Sequence, residues 1–161
     1  MELWDLYDSD RSLAKTDHIR GNPIPEGLHH LAVHVWIKNS RGQYVISQRS
    51  ADRPSYPLWW ECVGGSVLKG EDSLTGAIRE AAEEVGIRLE PEKGTLVFSE
   101  VREQMRDILD VWLFDYDGEI PLEEATTKEV AQAFWMEPEE IQSLLERGKL
   151  VPTLSYFLTK L

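Results

Sequence analysis

Polar and apolar positions alternate through residues 29–38, with Leu31, Val33, Val35 and Ile37 on one side and Ala32, His34, Trp36 and Lys38 on the other. A period of two with β-branched residues predicts a strand. Asn39-Ser40-Arg41-Gly42 has turn chemistry, and residues 44–49 read as the returning strand, so the two predict a hairpin. Residues 3–8 predict an earlier short strand entering a turn at Ser9-Asp10-Arg11. Residues 21–27 form a loop rich in breakers. Residues 52–60 read as an aromatic, proline-rich loop, and Cys62-Val63 as strand-like before Gly64-Gly65. Three more strands are predicted over 95–101, 109–116 and 130–136. The clearest helix covers 73–85, with Gly86 as its stop. A second helix runs from Pro138 to Arg147 with Gly148 ending it, and 152–160 predicts a short terminal helix. The class is α+β, an α/β/α sandwich with the sheet between helices.

At 161 residues there is room for one core, so residues 1–161 read as one domain, with an N-terminal strand or hairpin over 1–27 as its extension. The 17 basic and 29 acidic residues leave a net charge of −12, which argues against a nucleic-acid polymer or an anionic membrane as partner. An acidic chain that handles a polyanion needs metal ions in between. The single cysteine, Cys62, has no internal disulfide partner and is most often a small buried hydrophobe. The N-terminus carries no basic or apolar leader and no stretch is long enough to span a membrane, which predicts a soluble cytoplasmic protein.

Helical periodicity over 73–85 puts Leu74, Ile78, Ala81, Ala82 and Val85 on one face, the expected core stripe. Glu80, Glu83 and Glu84 fall on the other, near Asp72 and Gly76, with Glu84 pointing away from the core. Such a run is usually a solvated acidic face, and taken alone the cluster favours that reading, at a cost of roughly 0.2–0.5 kcal/mol per like-charge pair at i+3 and i+4 that Arg79 partly offsets. Three hard oxygen donors within one turn also suit Mg²⁺ or Mn²⁺. Adjacent glycines at 64 and 65 in the preceding segment permit close approach of backbone to an ion or ligand; alone they read as a simple turn, and it is the combined pattern that favours the metal site.

Between Gly65 and Ile87 the chain reads Gly, five residues, Glu71, seven residues, then Arg79-Glu80-Ala81-Ala82-Glu83-Glu84-Val85-Gly86-Ile87. This resembles the Nudix box, the signature of the Nudix hydrolases, at every fixed position. A chance match is roughly one in a million by composition. The resemblance implies a mixed-sheet α/β/α sandwich with the box as loop–helix–loop. It implies metal-dependent hydrolysis of a diphosphate linkage in a nucleoside diphosphate derivative or similar small organic diphosphate, with Mg²⁺ or Mn²⁺ as cofactor. Glu80, Glu83 and Glu84 would be metal ligands, joined by the carbonyl of Gly64. Gly65, Glu71, Arg79 and Gly86 would support loop and helix, with Arg79 holding a glutamate in place. The base varies within the family; Glu129, Glu100 and Glu103 are the candidates here, and Glu129 is preferred. A homodimer is the assembly implied.

Outside the box, Leu3-Trp4-Asp5-Leu6-Tyr7-Asp8, Leu28-His29-His30, Gln48-Arg49-Ser50 and a Pro-Leu-Trp loop resemble the isopentenyl-diphosphate isomerase-like branch. That isomerase is the alternative function. It needs a cysteine that falls near Gly65 when aligned on Trp60, and Cys62 does not take its place. A third reading, a non-catalytic nucleotide-binding module, typically goes with lost box glutamates, and none is lost here. Tyr56, Trp59, Trp60 and Arg49 are candidate substrate contacts. Trp36, Trp112 and Trp135 lie in strand patterns and read as packing residues. His34 reads as a surface or satisfied core histidine, with His29 and His30 as further candidate ligands.

Overall fold

The computed structural model describes all of residues 1–161. In chain order its elements are β1 (Leu3–Tyr7), β2 (Leu13–Ile19), β3 (His30–Lys38), β4 (Tyr44–Arg49), β5 (Trp60–Glu61), β6 (Val63–Ser66), α1 (Ser73–Val85), β7 (Gly94–Arg102), β8 (Asp107–Asp115), β9 (Val130–Met136), α2 (Pro138–Glu146) and α3 (Phe157–Lys160). β1 and β2 form a separate antiparallel ribbon, and the other seven strands share one mixed sheet.

β3 is the axis of that sheet. It runs parallel to β8 from His30 opposite Asp107 to Lys38 opposite Asp115, and β7 extends the sheet antiparallel beyond β8. On the other edge of β3, residues 32–35 pair with β6. The expected β3–β4 hairpin therefore survives at one position, Lys38 opposite Tyr44. β4 then diverges to pair with β9 and β5. An edge already filled by β6 has no free N–H or C=O for β4, so the hairpin splays.

The alternation along β3 separates two cores, not core from solvent. Val33, Val35 and Ile37 lie against Ala77, Ala81 and Val85 on the α1 side. Trp36 lies with Ile46, Ile141, Leu144, Leu154 and Phe157 on the side of α2 and the C-terminus. A parallel strand covered by helices on both faces is expected to bury both. This is the sandwich the sequence predicts.

α1 begins at Asp72, whose carboxylate accepts from the Thr75 amide at 2.8 Å, and ends at Gly86 in the left-handed region, φ 75°. Its buried face differs from the wheel. Ser73, Gly76, Ala77, Ala81, Glu84 and Val85 are buried, whereas Leu74, Ile78 and Ala82 are only half-buried flanks. Small residues let the helix lie close to the sheet, and a Cβ at Gly76 would stand 3.0 Å from Val67 Cγ2. Glu84 thus turns inward, contrary to the outward placement expected of it.

The second strand of the N-terminal ribbon carries little apolar signal, because β2 is exposed at most positions. The ribbon is held by contacts remote in sequence. Tyr7 and His29 exchange backbone hydrogen bonds at 2.8 Å, and the Lys69 amide donates to the Leu3 carbonyl at 2.9 Å. Asp5 accepts from the Gly70 amide at 2.8 Å, and Arg11 makes a two-pronged ion pair with fully buried Asp110. No helix is long and apolar enough to cross a membrane.

Candidate active site

Arg79 organises the first part of the site. Its guanidinium donates to Glu71 at 2.9 and 3.0 Å, to the Ser66 carbonyl at 2.9 Å, to Glu80 at 3.0 Å and to Glu83 at 3.1 Å. Glu71 in turn accepts from the Leu68 amide at 2.8 Å. One cation thereby ties the glycine strand, the loop after it and the carboxylate face of α1 together. Ion pairs shielded in this way hold geometry more than they add stability.

The glycines of β6 make room for the carboxylates. A Cβ on Gly65 would stand 2.4 Å from the Glu80 carboxylate, and one on Gly64 would stand 2.8 Å from the Val33 carbonyl oxygen. Gly64 and Gly65 are strand residues here, with close approach on both sides, and not a simple turn. Gly65→Ala is therefore expected to fold, because Glu80 is a flexible side chain, but to displace that carboxylate. Turnover should fall by about tenfold to a hundredfold with little change in melting temperature. Near wild-type turnover in this variant would show that the position of Glu80 is unimportant.

A cleft beside α1 is lined by Glu80, Glu83, Glu129, Gly64, Gly65 and Arg79, with Glu2 and Arg20 contributed by the N-terminal ribbon. Glu129 reaches it because the loop before β9 is tied to the end of α1, where the Glu83 carbonyl accepts from the amides of Thr126 and Thr127. Arg53 pairs with Glu129 at 2.6 Å. Glu100 lies on β7 and the largely exposed Glu103 contacts His29, so neither alternative base lines this cleft.

Burial raises the Glu80 carboxyl to about 7, against the pull of Arg79 and with repulsion from Glu83 and Glu129 added. Burial pushes Glu84 well above the ordinary carboxylate range, with Glu61, Glu80 and Glu129 adding to it. Glu61 is the member the sequence reading missed. It lies on β5, accepts from Arg49 at 2.8 and 3.0 Å, and burial raises its carboxyl as well. Its only trace in the sequence is a lone charge inside the apolar run Trp59-Trp60-Glu61-Cys62-Val63.

As the side chains stand, no three His, Cys, Asp or Glu groups are gathered closely enough to hold a metal ion. Arg79 occupies Glu80 and Glu83 instead. The fit to a hard divalent cation rests on the donor set: several buried carboxylates that repel one another and carry too little positive charge among them.

The remaining candidates separate. Arg49 lines a second, adjoining cleft, but its guanidinium is taken by Glu61 and Ser55. Tyr56, Trp59 and Trp60 line neither cleft. Tyr56 packs on Trp59 and Trp60 on Phe134, so the sequence cue of an aromatic loop corresponds to local packing. Cys62 is buried and its thiol is pushed up by burial and by Glu61 and Glu84.

The NUDIX domain family matches residues 28–160. An uncharacterized Nudix hydrolase of Listeria innocua serovar 6a is 36% identical over 162 residues, covering 100% of this chain and 94% of its own length. Among solved structures, the fold is similar to DR0079 from Deinococcus radiodurans, with a TM-score of 0.69 at 22% identity over 93% of this chain and 92% of that one. It is also similar to a bifunctional NMN adenylyltransferase/ADP ribose pyrophosphatase from Francisella tularensis, complexed with AMP and a Mn ion. There the TM-score is 0.61 at 19% identity, over 85% of this chain and 41% of that one.

Proposed function

The chain belongs to the Nudix hydrolase family, and on that premise we propose that it hydrolyses the diphosphate linkage of a nucleoside diphosphate derivative or a similar small organic diphosphate, with Mg²⁺ or Mn²⁺ as cofactor. The observation that carries this reading is the group of carboxylates beside the glycine strand: Glu80, Glu83 and Glu129 line the cleft, and burial raises the carboxyls of Glu80 and of Glu84 behind it. A divalent cation bound there supplies charge neutralisation at the diphosphate and a lower pKa for water. Glu80, Glu83 and Glu84 would hold it together with the Gly64 carbonyl.

The other groups do the rest. Glu129, which lines the same cleft and is oriented by Arg53, takes the proton from the attacking water. The new bond forms from water oxygen to phosphorus as the bridging P–O bond breaks. Arg20 lines the cleft as a cation for the diphosphate oxygens, and Arg79 keeps the glutamates in register.

Isomerisation of isopentenyl diphosphate fits less well. Gly65 stands where that chemistry needs a thiol, and Cys62 is a buried, protonated thiol. The test is a panel of nucleotide sugars, dinucleotides, nucleoside triphosphates and isopentenyl diphosphate with Mg²⁺ or Mn²⁺, with products identified by mass. Cleavage should vanish in excess chelator and return with either ion, and no dimethylallyl isomer should form. Full cleavage in excess chelator sinks the metal assignment, and isomer at enzymatic turnover reverses the ranking.

A further inference from the structure

His34 is in no part of the machinery above, yet it stands one strand from it. It lies directly opposite Gly64 in the β3–β6 register, on the sheet face covered by the C-terminal segment. A Cβ on Gly64 would come 3.3 Å from His34 Cδ2, so Gly64 leaves the imidazole uncovered as its neighbour Gly65 leaves room for the Glu80 carboxylate. His34 lines the second cleft, of about 240 Å³, which shares Arg53, Gly64, Gly65 and Ser66 with the carboxylate cleft. A molecule with its diphosphate at the carboxylates would place its attached group here.

The hydrogen bonds define how His34 presents itself. Trp36 Nε1 donates to the Tyr156 hydroxyl oxygen at 2.8 Å. Indole N–H is a donor only, so that oxygen accepts, and the hydroxyl's own hydrogen finds an acceptor only if His34 Nδ1, its one other partner, also at 2.8 Å, takes it. Burial keeps Tyr156 a phenol and depresses His34 to about 3, consistent with a donating hydroxyl and a neutral ring. An accepting Nδ1 puts the ring proton on Nε2, which has no partner within the chain and opens on the cleft. The cations beside it are already engaged: Arg49 with Glu61, Arg53 with Glu129, and Arg102 with Asp107 through two bonds of 2.8 and 2.6 Å.

We infer that His34 selects the group attached to the diphosphate, donating from Nε2–H to an acceptor oxygen or ring nitrogen on it. The inference rests on the hydrolase reading and narrows it. The attached group is polar and of base or sugar size, because the cleft is smaller than the roughly 300–1,000 Å³ usual for drug-sized ligands. A purely hydrocarbon tail would leave the buried-side donor without a partner, which is costly.

Two measurements test this. Long-range ¹H–¹⁵N correlation on the substrate-free protein should show His34 neutral and protonated at Nε2 at neutral pH; the Nδ1–H form or an imidazolium overturns the inference. Steady-state kinetics with Mg²⁺ then compare wild type, His34→Phe and His34→Gln on CDP, UDP-glucose, ADP-ribose and isopentenyl diphosphate. For the best nucleotide substrate, His34→Phe should raise KM about tenfold with kcat within about twofold, and His34→Gln, which restores an N–H at similar reach, should recover most of it. Isopentenyl diphosphate should be a poor substrate for all three. A KM unmoved in a folded His34→Phe protein that cleaves these substrates overturns the inference alone. A wild-type protein that cleaves none of them overturns the hydrolase reading and this inference together.

Discussion

Glu84→Gln is expected to cut turnover by at least about a hundredfold, while making the protein more resistant to heat at neutral pH in the absence of metal. The first effect follows, on the proposed function, from losing one of the carboxylates that would hold the cation. The second follows from where the side chain lies. Glu84 is only 5% exposed, and burial together with Glu61, Glu80 and Glu129 holds its carboxyl well above its ordinary value of 4.5. The folded chain then keeps a proton that the unfolded chain has lost, so stability is full below pH 4.5 and drains away as the pH climbs. Glu80 behaves the same way, its share being lost between 4.5 and about 7. Glutamine carries no charge to bury and removes the Glu84 part of that loss. Melts of metal-free wild type and Glu84→Gln should therefore nearly coincide at about pH 4 and separate as pH rises, with the variant higher. Added Mg²⁺ should stabilise the wild type more than the variant. A variant that turns over like wild type, or that melts lower at pH 8, would place Glu84 outside the site.

Ala81→Asp should leave no folded protein, whereas Ile78→Asp should fold. Ala81 is fully buried between α1 and the sheet, among Val33, Val35 and Val63. A carboxylate there has no cation, and an unpaired buried charge costs several kcal/mol, comparable with the roughly 5–15 kcal/mol that holds a domain together. Ile78 sits at the rim of a surface cleft with Arg79 and Arg88 beside it, so its replacement should cost about 1–2 kcal/mol. Soluble yield and circular dichroism melts compare the two. Equal damage from both would mean that α1 is rotated from the orientation described.

That pair shows why the helix was only partly legible in the sequence. Its limits were clear, because Asp72 and Gly86 carry the capping chemistry on their own. Its rotation was not. A hydrophobicity wheel gives weight to Leu74 and Ile78, but close packing against the sheet puts mainly small residues at the contact, Gly76, Ala77 and Ala81, with Val85 at the end of the helix. The large residues are pushed to the flanks, and Glu84 is carried inward with the small ones.

The contacts of Arg79 join residues within one loop and one helix, and the resemblance to the Nudix box implied them: Arg79 does lie against Glu71, Glu80 and Glu83. The layering was legible too, from strands interspersed with a central and a late helix, but that residues 29–38 are buried on both faces was not. What joins distant segments was decided only in three dimensions. Strand partnership is such a case, because β4 loses its place beside β3 to β6, and backbone hydrogen-bonding groups carry no sequence label. Glu61 enters the carboxylate cluster through the pairing of β5 with β4, and Arg20 reaches the cleft through a ribbon fastened at Asp5, Tyr7 and Arg11. His34 bonds to Tyr156, 122 residues away, and no local pattern encodes a hydrogen bond across that separation.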